Sequence, residues 1–416
     1  MLRQFVYSPF IKVLLLAVIA VQLVACNSSS DGSASIATAS SAVEDDVVLT
    51  GSVGDGPVIG ATIEVWSSSG RLVKTLLSDN TAAFKSRIKV RRSHYPLLLK
   101  VSGGIDLVTG SEPDFQMASV MLDRRVRQVN INPFSTLMVQ IAQSLPGGIN
   151  ADNIRTARGM VMGTLGFGLD PGVFPDPIGS EITDGNTASL LKSSEAMGEM
   201  IRRTRDLVTA TGRTASGDAI MAAIAADMQD GVLDGRGADG TDPRITAAAK
   251  VVSSQVLVEA LSNTLKVGGV IATSVIDQAI VVTRPRISSD RLTSSVQVTD
   301  GLLQQTLMAL AAARVIDTSA EVIDIRNIVS GINAGDLPEN VSTILPADSS
   351  RSLDNAVLLT ATADMSQIAA INAAGQTGNE DPVTAEPGPS DPGTSDPGKT
   401  DPDTTDPDMT DPDTSD

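Results

Sequence analysis

The sequence predicts an α+β, multidomain chain: an N-terminal seven-stranded β-sandwich, then a mainly α-helical domain with a small extended segment, and a disordered acidic C-terminal tail. Three observations predict it. Short runs of alternating or β-branched residues broken by turn residues fill residues 47–132, the apolar period becomes helical at Asn132-Pro133, and Asp-Pro recurs every five residues from Asp391 onward. The organisation that follows is 1–25 as an export signal, 26–46 as a tether, 47–132 as the sandwich, 133–375 as the helical domain and 376–416 as the tail.

The first segment has Arg3 and Lys12 ahead of the apolar run Val13 to Val21, followed by Leu23-Val24-Ala25-Cys26. This is the layout of a secretory signal, shorter than the roughly 20 apolar residues a spanning helix needs. A small Ala25 directly before a lone Cys, then Asn27-Ser28-Ser29-Ser30-Asp31-Gly32, resembles the lipobox of bacterial lipoproteins. The resemblance implies cleavage before Cys26, a diacylglyceryl group on the Cys26 thiol and acylation of the new amino terminus, by palmitate for example. Multiple chains of this kind hold a protein on a bilayer without a spanning helix. Asn27 after the Cys implies, by the sorting preference of Gram-negative lipoproteins, a lipid anchor in the cell outer membrane, facing either periplasm or surface. Residues 26–46, rich in Ser, Ala and Gly, read as a flexible tether. Because Cys26 is the only cysteine, the mature fold is expected to have neither disulfide nor thiol chemistry.

Seven runs read as strands: Val47 to Val53, Ala61 to Trp66, Leu72 to Leu77, Phe84 to Val90, Leu97 to Val101, Ala118 to Leu122 and Val126 to Ile131. Turn residues separate them at Gly54-Asp55-Gly56-Pro57, Ser69-Gly70, Ser78-Asp79-Asn80 and Ser102-Gly103-Gly104, the spacing of a sandwich. Arg124, Arg125 and Arg127 precede the last run, where charge blunts an edge. Gly51-Ser52-Val53, Gly56-Pro57-Val58 and Gly60-Ala61-Thr62-Ile63-Glu64-Val65, with Ser69-Gly70 and Phe84 behind them, resemble the opening strands of carboxypeptidase-regulatory-like, transthyretin-like sandwiches. That resemblance covers about a fifth of the chain. It implies a scaffold or binding module of the cell envelope and brings no catalytic residue with it.

At Asn132-Pro133 an Asn cap precedes a Pro at the first helical position. The run Asn130-Ile131-Asn132-Pro133-Phe134-Ser135-Thr136-Leu137 resembles a junction in large bacterial lipoproteins and surface proteins, where such a sandwich passes into a helical region without established activity. Helices are predicted over Pro133 to Ser144, Ala151 to Leu165, Ala188 to Thr211, Gly217 to Met228, Pro243 to Leu265, Leu302 to Ala313, Ala320 to Ile328 and Met365 to Ala373. Ala279 to Val298 reads as extended, because Ile280 to Val282 and Val296 to Val298 are rich in β-branched residues. The helical segments are Ala-rich, and the 242 residues after Phe174 contain no Phe, Trp or Tyr. Platforms that stack sugars or single-stranded nucleic acid rely on such side chains.

The formal net charge is −18, and twelve acidic side chains against Lys399 alone place eleven of those charges between Glu380 and Asp416. Pro stiffens that repeat and its charges repel, so it reads as a solvated spacer. An acidic body with a more acidic tail and no basic stripe excludes nucleic acid as a partner.

With His94 as the only histidine, Ser-His-Asp triads and histidine zinc sites are excluded as well. His94 lies in the polar turn Arg91-Arg92-Ser93-His94-Tyr95 and reads as an exposed loop residue. Carboxylate pairs of the glycosidase type have nothing to single them out, and Gly159 to Gly168 lacks the Gly-Lys-Ser/Thr of a phosphate loop. The most pointed cluster is Asp227, Asp230, Asp234, Asp239 and Asp242, between two helices, a weak calcium candidate. Setting Gly231 at the glycine position of an EF-hand puts Asp230 and Asp234 on ligand positions. Ala226, Met228 and Gly237 then fail the other side-chain positions, and the competing reading is an acidic loop with Asp242 capping the next helix. Arg202-Arg203-Thr204-Arg205 stands near Glu195 and Glu199 at spacings that imply intrahelical ion pairs.

No catalytic or cofactor-binding residue is assigned, and no cofactor beyond that calcium. The expectation is a lipid-anchored envelope protein acting as a non-enzymatic binding, adhesion or scaffold module, partnered by the membrane through Cys26 and by a protein or small molecule. The alternative is a periplasm-facing carrier or accessory factor for a small apolar ligand or an envelope transport machine.

Overall fold

A computed structural model describes residues 44–262, 264–284, 286, 300–322, 325 and 349–375. Cys26, the signal, most of the tether and the tail lie outside the described residues. Those described belong to one compact unit of α+β architecture, with eight strands at its N-terminal end, then nine helices and one short hairpin among them. No described helix is long and apolar enough to cross a membrane.

Strands β1 (Asp45–Ser52) and β5 (Ala83–Val90) pair antiparallel, with Leu49 opposite Ser86. A second, four-stranded antiparallel sheet runs β4 (Leu72–Leu77), β3 (Thr62–Trp66), β6 (Leu97–Ser102), β8 (Met117–Met121). Alternation decides which side chains turn inward: Val47 and Leu49, then Ile63 and Val65, then Leu97, Leu99 and Val101 are buried, with their neighbours facing out. Two short strands, β2 (Val58–Ile59) and β7 (Ile105–Asp106), pair with each other.

The expected seventh strand is not a full strand. Val126 to Ile131 meets β1 and the residues just after it at two isolated parallel bridges, Thr50 to Gln128 and Val53 to Ile131, with no continuous ladder. Val129 N and Ile131 N donate to Thr50 and Ser52 of β1, whereas Asn130 N donates to Ile178 O and its Nδ2 to Ser180 O in the loop beyond the second helix. Gly51 permits the approach, because a Cβ there would lie 1.9 Å from Val129 O. At the neighbouring turn Arg124 pairs with Asp45 at 3.4 Å and Arg125 with Asp123 at 3.6 Å.

The junction at Asn132 is built by side chains. Asn132 Oδ1 accepts from Ser135 N and its Nδ2 donates to Pro177 O, so helix α1 (Pro133–Ser144) starts where predicted. Ser135 Oγ donates to Ala118 O at 2.7 Å and Thr136 Oγ1 accepts from Ala118 N at 3.0 Å. The backbone of β8, on the sheet's outer edge, is therefore satisfied by the first turn of α1. Core residues continue without interruption from the sheets through Phe134, Leu137, Met138 and Ile141 into the helices.

Helices α2 (Ala151–Leu165), α3 (Thr187–Ala210), α4 (Gly217–Asp227), α5 (Pro243–Leu261), α6 (Ala272–Thr283), α7 (Asp300–Ile316), α8 (Ser349–Thr362) and α9 (Met365–Ala373) follow. Every residue of α5 from Ile245 to Leu261 is buried, and it packs on α3, α4, α7, α8 and α9. Its Ala and Val side chains let five neighbours approach one helix. Two expectations fail here. Helix α5 ends at Leu261, where Thr264 N and Leu265 N both donate back to Glu259 O, and Gly268-Gly269, both at positive φ, then turn a two-residue hairpin between β9 (Lys266–Val267) and β10 (Val270–Ile271). Of the segment expected to be extended over Ala279 to Val298, Ala279 to Thr283 belongs to α6, since Ile276, Ala279 and Ile280 form a buried helical stripe that overrides β-branched propensity, and the remainder, with Val296 to Val298, lies almost wholly outside the described residues. Of the helix expected over Ala320 to Ile328, residues to Val322 form a 3-10 turn beginning at Thr318, and the rest lies almost wholly outside the described residues.

Asn132→Ala removes a cap and strands the buried carbonyl of Pro177, so it should lower stability by about 2 kcal/mol. Asn150, which caps α2 from a more exposed position, should lose only about 1 kcal/mol on the same change. Urea denaturation midpoints of the two variants check the difference.

Candidate functional site

The site is assembled around α3. Its sequence places Glu195, Gly198, Glu199 and Arg202 on one face at helical spacing, and that face meets two elements of the strand region. One is the two-residue turn Asp55-Gly56 between Gly54 and Pro57, which bridge each other. The other is β7, which ends on Asp106. Gly198 lets the turn in, because a Cβ there would lie 2.2 Å from Asp55 Oδ1. Gly56 does the same on the other side, where a Cβ would lie 2.3 Å from Asp106 Oδ1 and 2.4 Å from Glu195 Oε1.

Arg202 is the centre of the charge network. Its Nη1 donates to Asp55 Oδ2 at 2.9 Å, its Nη2 to Glu195 Oε2 at 3.3 Å and its Nε to Glu199 Oε2 at 2.9 Å. Arg203 continues the network, donating to Glu199 Oε1 at 2.8 Å and in bidentate fashion to Glu259 of α5 at 2.8 and 3.0 Å. Asp106 is held differently: its carboxylate accepts Val108 N, Thr109 N and Thr109 Oγ1. Asp55, Asp106 and Glu195 are all buried, and one carboxylate oxygen from each lies within 4.8 Å of the other two.

Too many acids share one guanidinium. Burial drives the Asp55 carboxyl up to about 7 against the pull of Arg202, with Asp106 adding to the rise. Glu195 is raised well above the carboxylate range by burial and by Asp106 and Asp55. Burial likewise raises Asp106. For Arg202 the balance reverses: burial works against its charge, but Asp55, Glu195 and Glu199 outweigh it and hold the guanidinium protonated.

The expected calcium loop is organised differently. Asp227 is fully buried, but its oxygens accept Gly235 N, Gly237 N and Thr246 Oγ1, so it fixes the loop backbone. Asp230 accepts Val232 N, Asp234 accepts Arg236 N, and Asp239 is exposed. Asp242 caps α5 through Arg244 N and Ile245 N and pairs with Arg213. Among the described residues, the acids that converge are Asp55, Asp106 and Glu195, not these five. His94 is half-buried in a 3-10 turn, Nδ1 accepting Arg91 N and Nε2 lying 3.4 Å from Arg71. The Glu195/Glu199/Arg202/Arg203 spacing showed the intrahelical pairs. Nothing in it pointed to Asp55 or Asp106, which come from 147 and 96 residues earlier than Arg202.

No family model, curated protein or solved structure matches the chain.

Carboxyls raised in the folded state bind more protons there than in the unfolded chain between about pH 4 and pH 7, so their contribution to stability is full at low pH and declines as pH rises. In chelator-containing buffer, thermal melts should therefore show the wild type gaining stability between pH 8 and pH 5 from this cluster. Arg202→Met strands the buried carboxylates and should cost about 3–5 kcal/mol at pH 8, and less at pH 5, where the acids become neutral.

Proposed function

We propose that the chain is a lipid-anchored envelope protein that serves as a non-enzymatic binding or scaffold module, with Cys26 carrying the anchor. The observation that supports this best is the direction of its charge. Arg202 and Arg203 turn inward and tie the Asp55 turn, α3 and α5 together, with side chains about nine-tenths or four-fifths buried. The result is one stiff body in which strands and helices share a core, which is what a module that transmits or displays a binding surface needs. In this reading the two sheets are the layers of a transthyretin-like sandwich, its seventh element being the Val126 to Ile131 run held to β1 by bridges. The lipobox-like Leu23-Val24-Ala25-Cys26 and the following Asn27 support an anchor in the outer membrane.

A second reading is favoured by one cavity. Leu165, Phe167, Val232, Leu233, Leu257 and Met308 line a mostly apolar space of about 210 Å³ where α2, α5 and α7 meet. A small apolar ligand held there would make the protein a carrier. Solvent extraction of the purified protein and mass spectrometry distinguish the two: a stoichiometric apolar compound favours the carrier, and its absence the scaffold.

The anchor is tested in a Gram-negative host fed labelled palmitate. Wild type should take up label and sediment with the outer membrane, whereas Cys26→Ser should stay unlabelled and appear in the soluble fraction. Label retained by Cys26→Ser overturns the anchor. Protease shaving of intact cells then separates a surface-facing adhesion role, in which the β region is cleaved, from a periplasm-facing one.

A further inference from the structure

Two oxygens in the α3 cluster have nothing to accept. Asp55 Oδ1 and Glu195 Oε1 are buried and receive no hydrogen bond among the described residues, although the second oxygen of each carboxylate is held by Arg202. Such groups cost stability unless something polar meets them. We propose that Asp55, Asp106 and Glu195 form a buried site for an oxygen-ligated divalent cation of the calcium class.

The arrangement fits that chemistry in four respects. The donors are carboxylate oxygens only, the preference of hard cations. One oxygen of each carboxylate lies within 4.8 Å of the other two, inside the widest separation that two ligands of one calcium ion can have with bonds of about 2.4 Å. Arg202 and the Val108 and Thr109 donors fix the carboxylates from behind, as outer partners of metal ligands do. Lastly, the Arg202 guanidinium pairs with two of the three ligand carboxylates and with Glu199, so a divalent cation brings the buried charge closer to neutral.

Three ligands need waters to complete a calcium shell of six or more. A cavity of about 60 Å³ adjoins the cluster, bordered by Asp55, Gly56, Thr187 and Ser194. The Thr187 and Ser194 hydroxyls are themselves buried without a partner among the described residues. Space of that size holds a few waters, which the Thr187 and Ser194 hydroxyls and the Asp55 carboxylate can bind. Gly56 and Gly198 keep the centre open, since any side chain at either would run into the ligand oxygens.

The test uses the full-length protein in detergent, purified without chelator. Elemental analysis should find about one calcium per chain. After EDTA stripping, calorimetric titration with calcium chloride at pH 7.5 should show binding, and the melting temperature should rise by several degrees. Glu195→Gln and Asp106→Asn should each weaken calcium binding by about tenfold or more, while Asp230→Asn, in the other acidic loop, should leave it unchanged. The wild-type titration stands even if a variant fails to fold. Metal-free wild-type protein with neither heat nor a melting shift at millimolar calcium overturns the proposal and leaves the acids sharing protons. Calcium binding that survives Glu195→Gln but is lost in Asp230→Asn overturns the location.

Discussion

Arg202 brings one positive charge to a place where three separate stretches of chain deliver carboxylates. Asp55 arrives on a turn after β1, Asp106 at the end of β7, Glu195 and Glu199 from the same helix. Removing such a cation from water is expensive, and only close, hydrogen-bonded acids offset that. The arrangement of the strand region against α3 depends on this contact, because the Asp55 turn can approach the helix only where Gly198 leaves its backbone bare. Arg203 extends the same network to Glu259 and hence to α5, the helix on which α3, α4, α7, α8 and α9 converge.

A second constraint acts at the edge of the four-stranded sheet. An edge strand leaves N–H and C=O groups that must find partners. Here Ser135 and Thr136 supply them to Ala118, while Asn132 caps the same helix and reaches Pro177. The Asn-Pro-Phe-Ser-Thr run is thus a joint: it starts a helix, closes a sheet edge and seats Phe134 in the shared core.

Local rules were legible wherever the partner was near in sequence. Asn132 and Asp242 cap helices where the sequence predicts, and α1, α2 and α9 have the expected limits. Legibility failed where a distant partner decided. Val126 to Ile131 has strand composition, but its contact with the distant Thr50 to Val53 segment stops at two isolated bridges. Ala279 to Thr283 has strand propensity, but burial on one helical stripe wins. The Asp227 loop has the composition of a cation site, yet its one buried acid is saturated by backbone and hydroxyl donors.

By itself the sequence determined the α+β class, the switch from strands to helices at Asn132-Pro133, the helix caps and the lipobox-like segment at Cys26, because each depends on periodicity or on residues within a few positions. Only the tertiary structure decided that Asp55, Asp106 and Glu195 share one buried centre with Arg202. Carboxylates are plentiful in this chain, and no spacing marks which of them converge. Convergence depends on where glycines let backbones approach and on how many acids must divide one guanidinium, both properties of the folded arrangement.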